Sequence, residues 1–291
     1  MNAPSGWGIA QTVAVSTAAW TALFGLVSYL QPCRSYGWNG RTVAGIHGLT
    51  VSIMSLAFGV WNNQSPFTQP GGVSNFFEVF VQVTCLGYFI FDTTFCLAFR
   101  IYGRETHIMA VHHVVAMAGM MTSLWMGVSG TEVSVAIGLM ECTNPMFQLR
   151  WFLREVGLRK GDTWYEINDL AFVFSYVIIR GVIAQYLSYC VVTHPQTADP
   201  IKFFAVAMGV MNAILFVGIL EYALKRYTAM LWHLTRGDRA SEARIKSPAE
   251  SVNKNQLSNS TDTFEEITMH KSLGFTMKYI KQQLLFKHHN I

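Results

Sequence analysis

The apolar residues of this 291-residue chain fall into seven long blocks, and this spacing constrains the fold more than any motif does. An α-helix needs about 20 apolar residues to cross ~30 Å of hydrocarbon. Charged residues make up 13% of the chain, against roughly 25% in ordinary soluble domains. The pattern therefore predicts an all-α, polytopic membrane protein with seven spans, at residues 8–30, 42–61, 76–99, 108–128, 131–149, 166–191 and 201–224.

The basic residues alternate between the two sides of these spans. Nineteen Lys and Arg lie in the loops after the first, third and fifth spans and in the segment from residue 225 onward. The opposite side carries only Lys202, and Arg180 lies inside the sixth span. By the positive-inside rule we expect a lumenal N-terminus and a cytosolic C-terminus. The positive charge thus reflects topology, and we expect no nucleic-acid partner.

Ionisable side chains occur at similar depths in the second to fifth spans. A helix rises 1.5 Å per residue, which places them roughly 7–12 Å from the predicted cytosolic surface. An ionisable group inside a span is costly and is by default a functional-site candidate. We therefore expect these groups to face one another around a cavity open to the cytosol. They are His47, Asp92, His112, His113 and Glu141, with Asn144 nearer the surface and Arg180 deeper.

The adjacent pair His112-His113 is the most informative part of this set. Neighbouring residues of a helix point about 100° apart, so one imidazole can face a cavity while the other contacts Asp92 or Glu141. An acidic partner orients an imidazole and raises its basicity, which is the arrangement of a general base. A structural polar network that holds the helices together explains the same residues. Both interpretations stay open at this point.

Other classes of protein fit the chain less well. A zinc site would need a spacing such as H-E-x-x-H, which these residues lack, so we expect no metal. A retinal protein needs a lysine within its last span, and Lys202 lies only at the edge of that span.

Pro145 predicts a kink in the fifth span, because proline lacks the N–H and clashes with the preceding turn.

Several runs of residues, in this order, resemble the TLC-domain family, to which the ceramide synthases belong. They are Gly87–Asp92, His112-His113 and Glu141–Leu153, followed by Arg180 in a phenylalanine-rich span. The likeness covers about residues 40–225. It implies that six of the seven spans form a TLC-type helical barrel, entered from the cytosolic side.

The resemblance also implies roles for the polar residues. In ceramide synthases the paired histidines are the acyl-transfer centre, so His112 and His113 would be catalytic, with Asp92 as their orienting partner. The residues expected to bind lipid in the cavity are His47, Glu141, Asn144 and Arg180. Ceramide synthases carry a longer signature with His-Asp and a further Asp in the fifth span, whereas the corresponding stretch here has one acid, Glu141, and no histidine. The chain is therefore more similar to the TLC domain-containing proteins outside the synthase branch.

Two functions follow as expectations. The first is an endoplasmic-reticulum or endomembrane protein of lipid homeostasis that binds or regulates membrane phospholipid or sphingolipid. The alternative is a ceramide-synthase-like N-acyltransferase that uses acyl-CoA as co-substrate and the histidine pair as general base. Enzymatic activity is left open, and no resident cofactor is expected. The expected partners are the bilayer and a membrane lipid or fatty acyl chain, and a homo-oligomer stays open.

The predicted organisation has three parts. Residues 1–40 form an N-terminal span and a cytosolic loop, and residues 41–225 form the TLC domain with six spans. Residues 226–291 form a cytosolic tail, largely disordered because it is polar and poor in apolar residues. The last five residues, 287–291, weakly resemble the basic retrieval signals of endoplasmic-reticulum membrane proteins.

Overall fold

A computed structural model describes residues 6–61, 65–99 and 106–245, and this part of the chain is α-helical. A π-helical segment, Val177–Ile183, joins the seventh helix to the eighth. The α-helices are α1 Gly6–Leu30, α2 Tyr36–Trp61, α3 Phe76–Phe99, α4 Thr106–Met126, α5 Gly130–Glu141, α6 Asn144–Glu155, α7 Thr163–Tyr176, α8 Ala184–Thr193 and α9 Asp199–Ile245.

Within the residues that the structure describes, four helical stretches are long and apolar enough to cross a membrane. They are Gly8–Leu30, Phe76–Ala98, Thr163–Thr193 and Asp199–Thr228. The prediction of an all-α, multi-pass membrane protein is confirmed to this extent. The other three predicted spans coincide with α2, with α4 and with α5 plus α6. The count of seven spans and the closure of six into a barrel stay predictions.

The predicted fifth span, residues 131–149, is two helices rather than one. Helix α5 ends at Glu141 and α6 begins at Asn144, with Pro145 in its first turn. Proline is tolerated there because the N–H of a first-turn residue has no partner within the helix. The expected kink at Pro145 is therefore a break, and it lies beside the polar residues of the candidate site.

Small residues allow the helices to approach closely, as is common in membrane bundles. Helix α2 packs against α3, α5 and α6, while α1 packs mainly against α3. A Cβ added at Gly138 of α5 would lie 2.6 Å from the Cβ of Ser55 on α2. A Cβ added at Gly87 of α3 would collide with Ser16 of α1. Gly138 thus lets the two helices that carry His47 and Glu141 approach each other, and Gly87 does the same for α1 and α3.

The chain divides into two compact units, residues 1–213 and 214–291. The first contains every candidate residue discussed above. In the second, α9 continues to Ile245, into the region predicted as tail, and Lys225 Nζ lies 3.7 Å from Glu221 Oε2 one turn away. The remainder of the predicted disordered tail and the retrieval-like residues 287–291 lie outside the described residues.

Candidate functional site

The two adjacent histidines of α4 point in different directions. His112 is 5% exposed and lines a cavity, and its Nδ1 has no hydrogen-bond partner in the described part of the chain. The Nδ1 atom of His113 lies 3.7 Å from Asp92 Oδ2 on α3. This division follows from the angular spacing of neighbouring helical residues. The pair therefore consists of one cavity-facing and one acid-paired imidazole.

The imidazole of His113 is held from two sides. Tyr88 lies one turn before Asp92 on α3, and its hydroxyl donates a hydrogen bond to Asp92 Oδ1 at 3.3 Å. The ring of Phe89 stacks on the ring of His113, with centroids 4.6 Å apart and planes 13° from parallel. Asp92 and Phe89 of α3 thus contact the histidine directly, and Tyr88 orients the carboxylate of Asp92.

The aromatic ring of Tyr88 also connects this pair to His47. The two rings are stacked, with centroids 3.7 Å apart and planes 11° from parallel. The indole of Trp20 meets the ring of His47 edge-on at 5.3 Å, and its Nε1 donates to the carbonyl of Thr84 at 3.1 Å. His47 is consequently fully buried. Helix α1, predicted to lie outside the TLC domain, supplies this cover.

Glu141 is the acidic partner of His47. Its Oε2 lies 3.6 Å from His47 Nδ1 and accepts a hydrogen bond from Asn144 Nδ2 at 3.1 Å. The same amide nitrogen lies 3.3 Å from the carbonyl of Ala44 on α2. Gly48 makes this approach possible, because a Cβ there would lie 3.1 Å from the Cβ of Asn144. The first residue of α6 thus bonds the last residue of α5 across the helix break.

A row of hydrogen bonds continues from Asn144 along α6. Gln148 Nε2 donates to Asn144 Oδ1 at 2.8 Å, and Arg41 Nη1 donates to Gln148 Oε1 at 3.1 Å. The guanidinium of Arg41 also lies over the ring of Trp151, 4.7 Å from its centroid. Because polar side chains stabilise contacts between membrane helices, this row ties the start of α2 to the break between α5 and α6.

Arg180 lies in the π-helical segment and reaches the same break from the other side. Its Nη2 donates a hydrogen bond to the carbonyl of Met140, and its own carbonyl accepts one from Asn212 Nδ2 at 2.7 Å. The guanidinium lies over the ring of Tyr176, 5.1 Å from its centroid. π-Helical turns are rare and frequently occur at functional sites. Here the turn brings a cation to a carbonyl beside the helix break.

The cavity has a volume of about 130 Å³ and lies between α3, α4, α5, α8 and the start of α9. One face of α5 forms a wall, with Glu132 and Glu141 at its two ends and Val133, Ala136, Ile137 and Met140 between them. Nine helical residues correspond to about 14 Å along the axis. The cavity is therefore mostly apolar along its length and carries an acid at each end.

The predicted site residues thus form one connected region but do not all touch the cavity. His112 and Glu141 line it. The other five lie in contact with one another or with lining residues, and they are His47, Asp92, His113, Asn144 and Arg180. Their predicted proximity agrees with the structure, whereas their roles in catalysis or lipid binding stay predictions.

Two further candidate site residues were not predicted from the sequence. Glu132 is 2% exposed and lines the cavity near the first residue of α5, and it is the second residue of the predicted fifth span. Asn212 is 1% exposed, lines the cavity and is the one polar residue of α9 between Lys202 and Glu221. An acid or an amide inside an apolar block is the sequence signal that points to each of these two residues.

Comparison with known proteins adds an independent finding. The model of the TLC domain matches residues 37–223. A TLC domain-containing protein 4 A of Dictyostelium discoideum is 26% identical over 154 residues, which are 50% of this chain and 55% of that protein. The chain thus spans about half the length of this curated relative.

Proposed function

This chain belongs to the TLC-domain family, which is linked to lipid metabolism and its regulation, and we propose that it acts in lipid homeostasis by binding a lipid in the cavity beside His112. The bound part would be a fatty acyl chain of a membrane phospholipid or sphingolipid. The protein would reside in the endoplasmic reticulum or a related endomembrane, with its N-terminus in the lumen and its C-terminus in the cytosol.

The observation that carries this proposal is the combination of an apolar cavity with a buried polar group that lacks a partner. Leaving a buried donor or acceptor unsatisfied costs about 1–3 kcal/mol. The Nδ1 atom of His112 is in this state among the described residues, and His112 is one of the residues that line the cavity. A lipid whose polar group meets His112 and whose chain lies against Ile137, Leu187 and Phe204 would satisfy both features.

The alternative is an acyltransferase in which a histidine removes a proton from an attacking amine, with acyl-CoA as co-substrate. A general base is most effective when an acid orients it and it reaches the substrate. Here His113 has the acid, Asp92, while His112 has the cavity. Because these two properties fall on different side chains, the geometry favours lipid binding over catalysis.

Lipid profiles of cells that lack the protein test the proposal. The variants re-expressed are wild type, Ala205→Phe, which fills the cavity, and Val206→Phe as a matched control, since Val206 is 49% exposed. We expect wild type and Val206→Phe to restore the profile and Ala205→Phe to fail. Full restoration by Ala205→Phe would show that the cavity is not used.

The same cells test the role of the histidine pair when they carry His112→Ala plus His113→Ala. Both functions predict a defect in this double variant, and full restoration would exclude a histidine-centred mechanism altogether. Purified wild-type protein is then mixed with an acyl-CoA and a long-chain amine. No release of CoA is expected of a lipid-binding protein, whereas release that His112→Ala abolishes would establish the acyltransferase.

A further inference from the structure

We propose that Glu132 forms a second polar site at the end of the cavity opposite Glu141. This site would bind a hydroxyl or ammonium group of an amphiphile whose apolar part fills the cavity. This inference rests on the proposed lipid-binding function and names the chemistry of a second polar group of the ligand, separate from the group that meets His112. It also assigns a specificity-determining residue that lies about 14 Å along α5 from Glu141.

The carboxylate of Glu132 is fixed at one oxygen and unpartnered at the other. Its Oε1 accepts a hydrogen bond from the backbone N–H of Gly71 at 2.7 Å. Its Oε2 is buried and has no hydrogen-bond partner among the described residues. Since the residue is 2% exposed and lines the cavity, a ligand in the cavity is a natural source of the missing donor.

The loop before α3 holds Glu132 in place. Gly71 has a φ of +96°, which favours glycine, and a Cβ there would lie 2.6 Å from the carbonyl oxygen of Gln196 in the α8–α9 connection. The N–H of Ser129 donates to the carbonyl of Gly72 at 2.7 Å. The backbone of this loop therefore holds one oxygen of Glu132, and the same residue lines the cavity.

The two acids of the cavity, Glu132 and Glu141, differ in how fully their oxygens are hydrogen-bonded. Glu141 accepts from Asn144 and lies beside His47. The second oxygen of Glu132 lacks any such donor within the described ranges. An ionised carboxylate only accepts hydrogen bonds, so Glu132 selects a donor, and it repels a carboxylate or phosphate. The ligand class is therefore an alcohol or an amine with an apolar chain.

Four octyl probes test this inference with the full-length protein in detergent. Octylamine and octanol carry a donor, methyl octyl ether keeps the oxygen without the donor, and octanoate carries a negative charge. The measurement is the apparent dissociation constant of each probe by native mass spectrometry. A hydrogen bond to a charged group is worth roughly tenfold or more in affinity, and we expect the two donor probes to bind that much more tightly than the other two.

The variant Glu132→Gln preserves the shape of the side chain and the bond to Gly71. Its amide oxygen can still accept from that N–H, which turns the amide NH2, a donor, toward the cavity. We expect the advantage of octylamine and octanol to disappear and octanoate to gain affinity. Glu221→Gln, which neutralises an acid in the other unit, should leave the ranking of the probes unchanged.

Two results would overturn the inference, and they are distinct from failure of the proposed function. If wild type binds all four probes equally, or if Glu132→Gln keeps the wild-type ranking, Glu132 does not read the head group. If Ala205→Phe weakens all four probes in that case, lipid binding in the cavity still stands. If Ala205→Phe weakens none, the cavity does not bind lipid and both proposals fail.

Discussion

His113 Nδ1 lies 3.7 Å from Asp92 Oδ2, and the preceding residue, His112, instead faces the cavity. The side chains of His113 and Asp92 are both largely buried, with exposed fractions of 14% and 13%. The two histidines therefore have different surroundings. We expect His113 with Asp92 to stabilise the contact between α3 and α4, and His112 to be available to a ligand.

The first prediction concerns the stability supplied by this pair. His113→Gln and Asp92→Asn should each lower the free energy of unfolding, and the double variant should lose less than the sum of the two. Groups in direct contact show coupling energies of about 0.5–3 kcal/mol, and we expect about 1 kcal/mol or more here. The measurement is a double-mutant cycle of unfolding in detergent.

The pair Glu221 and Lys225 is the matched control for this cycle. Its atoms are also 3.7 Å apart, but the side chains are 35% and 56% exposed. Exposed pairs one helical turn apart contribute about 0.3–0.5 kcal/mol. Equal coupling in the two cycles would mean that the contact between His113 and Asp92 has no special structural role.

The second prediction concerns the close approach of α2 and α5. Gly138→Ala places a methyl group 2.6 Å from the Cβ of Ser55, so the helices must separate. Overpacking of this kind costs about 1–3 kcal/mol, and we expect a lower temperature of thermal unfolding. Ser55→Gly in the same chain should recover part of the lost stability, since it removes the Cβ of Ser55 with which the new methyl group collides.

Gly25 provides the control, because a Cβ at that helical position meets no atom within 4 Å. Gly25→Ala should leave stability unchanged or raise it by roughly 0.5–1 kcal/mol, through the better helix propensity of alanine. A loss in Gly25→Ala as large as that in Gly138→Ala would rule out the contact with Ser55 as the cause.

The third prediction concerns Arg180 and the helix break. Arg180→Met removes the donor to the carbonyl of Met140 and leaves that carbonyl without this partner. The expected cost is about 1–3 kcal/mol, concentrated at the junction of α5 and α6. Hydrogen exchange of the amides of residues 140–146 should accelerate, and Arg180→Lys, which keeps a donor, should show a smaller effect. Unchanged exchange at this junction would contradict the assignment.

The fourth prediction tests the orientation in the membrane. Cys33 lies in the α1–α2 connection and is exposed, whereas Cys85, Cys96 and Cys190 are buried. If the N-terminus is lumenal, Cys33 lies on the cytosolic side. A membrane-impermeant maleimide should then label it once the plasma membrane alone is permeabilised, and Cys33→Ser should remove the label. Labelling that also needs permeabilised internal membranes would reverse the orientation.

Depth along the helices was sufficient to predict which polar residues lie near one another. His47 and Glu141 come from spans two and five, and His113 and Asp92 from spans four and three, yet each pair is in contact. The missing N–H of Pro145 also predicted where the fifth span is disturbed, although the prediction was a kink in one helix and the structure has a break between two. These features depend on the helical rise and on local chemistry alone.

Other features depend on lateral packing or backbone detail, which depth does not determine. The π-helical turn around Arg180 contains no proline and no pair of glycines from which it could have been predicted. Trp20 covers His47 because α1 packs on α3, a contact that hydropathy cannot reveal. Glu132 acquires its fixed position from Gly71, which lies in a loop 61 residues earlier in the sequence.

The most direct test of lipid binding beside His112 is photocrosslinking in membranes. A long-chain probe with a diazirine and a terminal alkyne is supplied as alcohol and as acid, and its adducts on the full-length protein are mapped by mass spectrometry. We predict adducts on Ala136 and Phe204, reduced several-fold by His112→Gln and by Ala205→Phe but not by Val206→Phe. Adducts confined to outward-facing residues such as Leu56 and Leu97, unaffected by Ala205→Phe, would contradict it.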